Sequence, residues 1–219
     1  MFIIKYLRNS LHILYTQLLV TIQMLHGIWH LSKMQQPLVT VFGGSKLKQD
    51  NPWAIKAHQF AELLTSNNIS VLTGGGPGIM QAINCGAIKS DKFINLGIGV
   101  KGLEKKNMCV QHYVNTKYFF TRKWLLTRYT SAFVAFPGGF GTFDEIAEIA
   151  TLMESGKMPL APIILIEKNY WGPLTDWLTN HSLKEGLINQ KELSLFYVTD
   201  DLNEAFDLVC KHCRTINIK

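Results

Sequence analysis

Ala132-Phe133-Val134-Ala135-Phe136 runs directly into Pro137-Gly138-Gly139-Phe140-Gly141-Thr142, and Glu145 follows three residues later. A short, continuously apolar run bounded by Pro and Gly reads as a strand buried on both faces of a parallel sheet. From Thr142 to Ser155 the spacing predicts a helix. Glycine after a strand lets the backbone turn sharply and lets its N–H groups approach an anion. The helix that follows adds its positive N-terminal end. This junction is therefore an anion site built at the carboxyl end of a strand.

The same grammar recurs along the chain. Residues 38–42 form a strand ending in Gly43-Gly44-Ser45, and 69–73 form one ending in Gly74-Gly75-Gly76-Pro77-Gly78. Strands are also expected at 93–100, 161–167 and 195–198. Helices are expected at 52–66, 79–89, 121–129 and 202–213, with 170–185 helical in part. Buried strands alternating with helices imply an α/β fold: a Rossmann-like, doubly wound parallel sheet with helices on both faces. No repeat or linker divides residues 37–219, which read as a single nucleotide-binding catalytic domain. Residues 1–36 form an N-terminal helical extension.

Composition narrows the class. Of 219 residues, 47% are hydrophobic and 17% charged, enough for a core and against global disorder. The net charge of +6 comes from scattered lysines with no arginine-rich tract. A phosphate-bearing small molecule suits that pattern better than nucleic acid. Four cysteines occur, at 85, 109, 210 and 213. With no secretion signal they are expected to be reduced, in a cytoplasmic protein. Cys210-Lys211-His212-Cys213 is half of a zinc pattern without its other half, so no metal is expected.

The apolar N-terminus is interrupted by Gln17, Gln23, His26 and His30, so neither a membrane span nor membrane attachment is expected. Leu14, Leu18, Ile22, Leu25 and Ile28 recur at helical spacing, which predicts an amphipathic helix packed on the domain or on a partner subunit.

Common nucleotide motifs are absent. No loop has the Gly-Lys-Ser/Thr of a P-loop, and the dinucleotide fingerprint fails at Ile79 and at Asp144. At the third glycine cluster, Gly138, Gly139 and Gly141 offer backbone donors and Thr142 a hydroxyl. Glu145 lies one turn further on, where it faces a sugar rather than the phosphate. A carboxylate there suits N-glycosidic cleavage, whose transition state resembles an oxocarbenium ion. The plainer reading is a helix N-terminal acid complementing the dipole, worth about 0.3–1 kcal/mol.

Three motifs together resemble the Lonely Guy family of phosphoribohydrolases, often labelled possible lysine decarboxylases. Pro137 to Glu145 meets its PGGxGTxxE pattern, Arg122-Lys123 its Arg-Lys pair, and Gly74 to Met80 the glycine loop of its longer bacterial branch. The resemblance covers roughly residues 37–210. It implies hydrolysis of a purine nucleoside 5′-monophosphate, AMP or an N6-modified AMP, to free base and ribose 5-phosphate, with no cofactor. It implies Arg122 and Glu145 as the catalytic pair. Gly75, Gly76, Lys123, Gly138, Gly139, Gly141 and Thr142 would bind substrate. It also implies a homodimer or larger homo-oligomer. The decarboxylase label would need a Schiff-base lysine and a pyridine-nitrogen partner, a set the sequence does not clearly supply. The chain departs from the branch at Gln81, Ser131 and Lys46, and in Gly102–Asn107, a segment expected near the base. A non-catalytic nucleotide-sensing module is the alternative, since it needs the glycine loops but neither Arg122 nor Glu145.

Overall fold

The computed structural model describes residues 2–89 and 94–216. Seven parallel strands form one sheet: β1 Leu38–Phe42, β2 Ser70–Thr73, β3 Asn95–Val100, β4 His112–Thr116, β5 Ala132–Ala135, β6 Ile163–Ile166 and β7 Phe196–Thr199. Their spatial order is β4-β3-β2-β1-β5-β6-β7. The chain winds outward from β1 to β4, crosses back to β5 and winds out the other way. Hence the order reverses between β1 and β5, whose register pairs Val39 with Ala132 and Phe42 with Ala135.

The helices are α1 Phe2–Leu31, α2 Pro52–Ser66, α3 Ile79–Gly86, α4 Phe119–Thr127, α5 Phe140–Glu154, α6 Lys168–Trp177, α7 Gln190–Leu193 and α8 Leu202–Ile216. Alternation along each strand sends side chains to two cores. Val39, Val41, Val71 and Val134 meet α2, α3 and α8 on one face. Leu38, Leu72, Leu96 and Phe133 meet the other face, with Leu125 of α4 and Ile149 of α5. This is the doubly wound architecture the apolar runs predict.

Three expectations are corrected. The strand β4 was invisible in the sequence because it lies at the sheet edge. Its Tyr113 and Asn115 keep access to solvent, and only Val114 and Thr116 are fully buried, so no apolar run marks it. The expected strand from residue 93 begins at Asn95, and Phe93 lies outside the described residues.

Second, Cys85 on α3 is disulfide-bonded to Cys109, their Cα atoms 4.8 Å apart. The pair is not reduced as expected, because α3 and the segment before β4 flank the same end of the sheet. Cys210 and Cys213 lie on α8, and burial first of all raises the Cys213 thiol to about 11.

Third, of the two packings expected for α1, the one on the domain uses a different stripe from the one its periodicity suggests. Gly27, Leu31 and Met34 are buried, with Met24 and Ile28 partly so. A Cβ on Gly27 would stand 2.5 Å from Leu125 Cδ1, so this glycine sets how closely α1 approaches α4. Leu14, Leu18, Ile22 and Leu25 instead face outward and are exposed. The helix is apolar on two sides, and periodicity alone cannot say which side meets the domain. By length and composition Arg8–Leu31 is long and apolar enough to cross a membrane.

Candidate active site

In open α/β sheets a crevice opens where the strand order reverses, beyond the carboxyl ends of the strands. Here that point lies between β1 and β5. A cavity of about 490 Å³ opens there, within the range that holds a nucleotide-sized ligand. Its edges are tied together through one residue: Gly44 N donates to Pro137 O at 2.9 Å, and Ile79 N donates to Gly44 O at 3.0 Å.

At one end sits the start of α5. The helix begins at Phe140 with Gly139 as its N-cap, two residues earlier than the sequence suggested. The N–H groups of a first helical turn lack intrahelical partners and carry the positive end of the dipole. Gly139 and Gly141 are exposed, and a Cβ on either would meet nothing within 4 Å, so their backbones are open to the cavity. Gly138 plays a different part. A side chain there would collide with the Thr142 hydroxyl, so its absence lets Thr142 lie under the turn. Tyr170 donates its hydroxyl to Gly138 O and braces the loop from α6. Ser45 and Lys46 complete this end, which can hold a phosphate.

The middle of the cavity carries the reactive pair. Arg122, on the first turn of α4, places Nη1 2.5 Å from Glu145 Oε1 and donates from Nε to Ile98 O at 3.2 Å. Glu145 is 2% exposed, and its second oxygen, Oε2, is buried with no hydrogen-bond partner among the described residues. Burial pushes the Glu145 carboxyl above the usual carboxylate range, and the Arg122 and Lys123 charges oppose that shift without cancelling it. An acid that is buried, raised and half-satisfied on a cavity wall is equipped for proton transfer or for stabilising a developing cation.

The other predicted site residues are placed less directly. Lys123 is not on the cavity wall: its Nζ pairs with Asp144 at 2.7 Å and with Glu148 at 2.8 Å. Burial works against its charge, but those two hydrogen bonds outweigh it and raise its pKa. It locks α4 to α5 and so keeps Arg122 opposite Glu145. Gly74 lines the cavity, whereas Gly75 and Gly76 lie buried behind it. Met80, Leu103 and Glu104 line the cavity from the glycine loop and from the segment expected near the base. Trp53 and Tyr170 also line it and were not anticipated, since no local motif announces them. Tyr170 follows β6, so the rule that ligands sit beyond strand carboxyl ends was the one available signal.

Open glycine backbone at the switch point, followed by a buried Arg–Glu pair, gives this α/β protein a cavity suited to an anionic small molecule. A family model described as "Possible lysine decarboxylase" matches residues 80–209, more than half of the chain. The chain belongs to that family, the Lonely Guy family. It is similar to cytokinin riboside 5′-monophosphate phosphoribohydrolases. One, from Arabidopsis thaliana, is 30% identical over 54% of this chain, a match spanning only 57% of that relative's length. Another, from Rhodococcoides fascians, is 24% identical over 76% of this chain and 86% of its own.

Among solved structures, a molybdenum cofactor binding protein from Rippkaea orientalis superposes with a TM-score of 0.60 at 21% identity, over 81% of this chain and 98% of that one. A molybdenum cofactor carrier protein from Chlamydomonas reinhardtii gives 0.59 at 21%, with the same coverage. At such identity these likenesses show the fold alone.

The word decarboxylase implies pyridoxal phosphate, and the residues present do not fit it. The cavity's lysine, Lys46, is exposed beside the glycine cradle, whereas an imine-forming lysine is held desolvated against the cofactor.

Proposed function

We propose that the chain is a phosphoribohydrolase, cleaving the N-glycosidic bond of a purine nucleoside 5′-monophosphate, AMP or an N6-modified AMP. The observation that carries this reading is the free, buried Oε2 of Glu145, held by Arg122 one turn from the phosphate cradle. The 5′-phosphate sits on the Gly139–Gly141 backbone and Thr142, which brings C1′ of the ribose toward Glu145. The C1′–N9 bond breaks with its electron pair leaving on the base. The oxocarbenium-like sugar is stabilised by the Glu145 carboxylate. Water then adds to C1′, and the proton it loses passes by way of Glu145 to a nitrogen of the departing base, so that Glu145 ends as the carboxylate. Ribose 5-phosphate and free base result. Arg122 fixes the carboxylate's orientation and favours its charged form.

A homodimer belongs to the same reading. Phe119 and Phe120 on α4 and Phe140 on α5, the last 95% exposed, form an apolar rim beside the cavity that a second copy would cover.

Chromatographic detection of free base tests the reaction. Wild type should release adenine from AMP, and Glu145→Ala should lower that rate by about 10³-fold or more. Absence of release from any purine monophosphate, with nucleotide binding retained, would replace the hydrolase with the sensing module.

A further inference from the structure

On the cavity wall one charged side chain has no assigned task. Glu104 lies in the segment between β3 and β4 and lines the cavity with Leu103 and Met80. Its carboxylate rests where a side chain of Gly76 would stand, so that a Cβ at 76 would collide with Glu104 Oε2. Adjacency orders the wall. Glu145 pairs with Arg122, whose Nη2 lies 2.8 Å from the place of a Gly74 Cβ. Met80 fills the space over both Gly74 and Gly76, and Glu104 follows. A nucleotide with its phosphate on α5 and its C1′ at Glu145 therefore directs its base toward Glu104.

The segment that carries Glu104 is held firmly. Asn107 is buried, and its Nδ2 donates to Gly75 O at 3.0 Å and Gly76 O at 2.9 Å. Its Oδ1 accepts from the backbone N–H groups of Cys109 and Val110 at 3.0 Å. Behind it, Asn84 donates to Asn95 Oδ1, and the Cys85–Cys109 disulfide ties the same segment to α3. A fully partnered polar network of this kind fixes geometry. Glu104, in contrast, makes no ion pair or side-chain hydrogen bond among the described residues. It is a half-buried acceptor on the cavity wall.

We propose that Glu104 reads the base edge of the substrate and selects a base bearing an exocyclic amine over one bearing a carbonyl at that position. The inference rests on the nucleotide reading above. A carboxylate only accepts, so it takes the N–H of an amino group and repels a carbonyl oxygen. A glutamine of the same shape both donates and accepts, and no longer distinguishes the two.

Isothermal titration of the full-length chain with AMP, IMP and ribose 5-phosphate tests this, in wild type and in Glu104→Gln and Glu104→Ala. Repeating it on Glu145→Ala removes turnover during the titration. Wild type should bind AMP about tenfold or more tightly than IMP, from one charge-assisted hydrogen bond gained and one repulsion avoided. Glu104→Gln should bring that ratio near one and leave ribose 5-phosphate affinity unchanged, since the phosphate end is untouched. An AMP-to-IMP ratio that Glu104→Gln and Glu104→Ala both leave unchanged overturns the assignment, even if base release is observed. A ratio that collapses in an enzyme releasing no base upholds Glu104 and overturns the hydrolase. Failure to bind AMP at all overturns both.

Discussion

Gly74–Gly78 and Gly138–Gly141 look interchangeable as text: each is a glycine cluster after an apolar strand, leading into a helix. In the folded chain they do opposite things. At Gly139 and Gly141 the missing side chains leave open space, and the backbone itself faces the cavity. At Gly74, Gly75 and Gly76 the missing side chains are occupied by other residues. Arg122 and Met80 fill the place beside Gly74, Tyr113 that beside Gly75, and Glu104 that beside Gly76. Apart from Gly138, one cluster is open backbone on the cavity wall; the other is a set of sockets that positions the side chains a ligand would meet. Glycine supplies both because it removes the Cβ, and which use is made depends on what lies opposite.

The largest expected effect that could break this contrast is on stability. Gly75 has φ of +71°, and a Cβ there would lie 2.6 Å from Tyr113 Cε2. Gly75→Ala should cost roughly 2–5 kcal/mol, from left-handed backbone strain plus overpacking, read by urea unfolding. A loss below about 1 kcal/mol would mean that the socket is not tight.

Arg122 fills the socket at Gly74 and pairs with Glu145 on the helix that follows the other cluster, and pH sharpens its role. Burial raises the Glu145 carboxyl and the Arg122 charge lowers it. The acid limb of kcat/KM, where Glu145 must be deprotonated, should therefore lie above the ordinary carboxylate range. In Arg122→Gln the lowering contribution is lost and the limb should move to still higher pH. An unmoved limb in a folded variant would separate the two residues electrostatically.

The smallest effect belongs to Gly141, on the first turn of α5 in open space. Gly141→Ala should raise stability by up to about 0.5–1 kcal/mol, since alanine loses less backbone entropy in a helix. Calorimetric melting would show it. A clear drop in Tm would contradict the open-space geometry.

Much of the fold was legible. Two-sided burial writes β5 and β6 as continuous apolar runs and β1 and β2 as apolar runs carrying only Ser or Thr besides, and the glycines after three strands mark where the cavity opens. Arg122 and Glu145 were legible through their motifs, and the structure brings them together across 23 residues of chain. The edge strand β4 was hidden because an edge needs no apolar run. Lys123 was read toward the substrate because the sequence does not record that Asp144 and Glu148 lie within reach of its amine.

By itself the sequence determined the alternation of strands and helices, the strand-to-helix junction at Pro137–Thr142, and the family, because these depend on local spacing and on short motifs. Only the tertiary structure decided which stripe of α1 docks, which glycines face a ligand, that Cys85 meets Cys109, and that Glu104 stands over Gly76. Each of those is a choice between surfaces of equal local propensity, settled by what the rest of the chain packs against them.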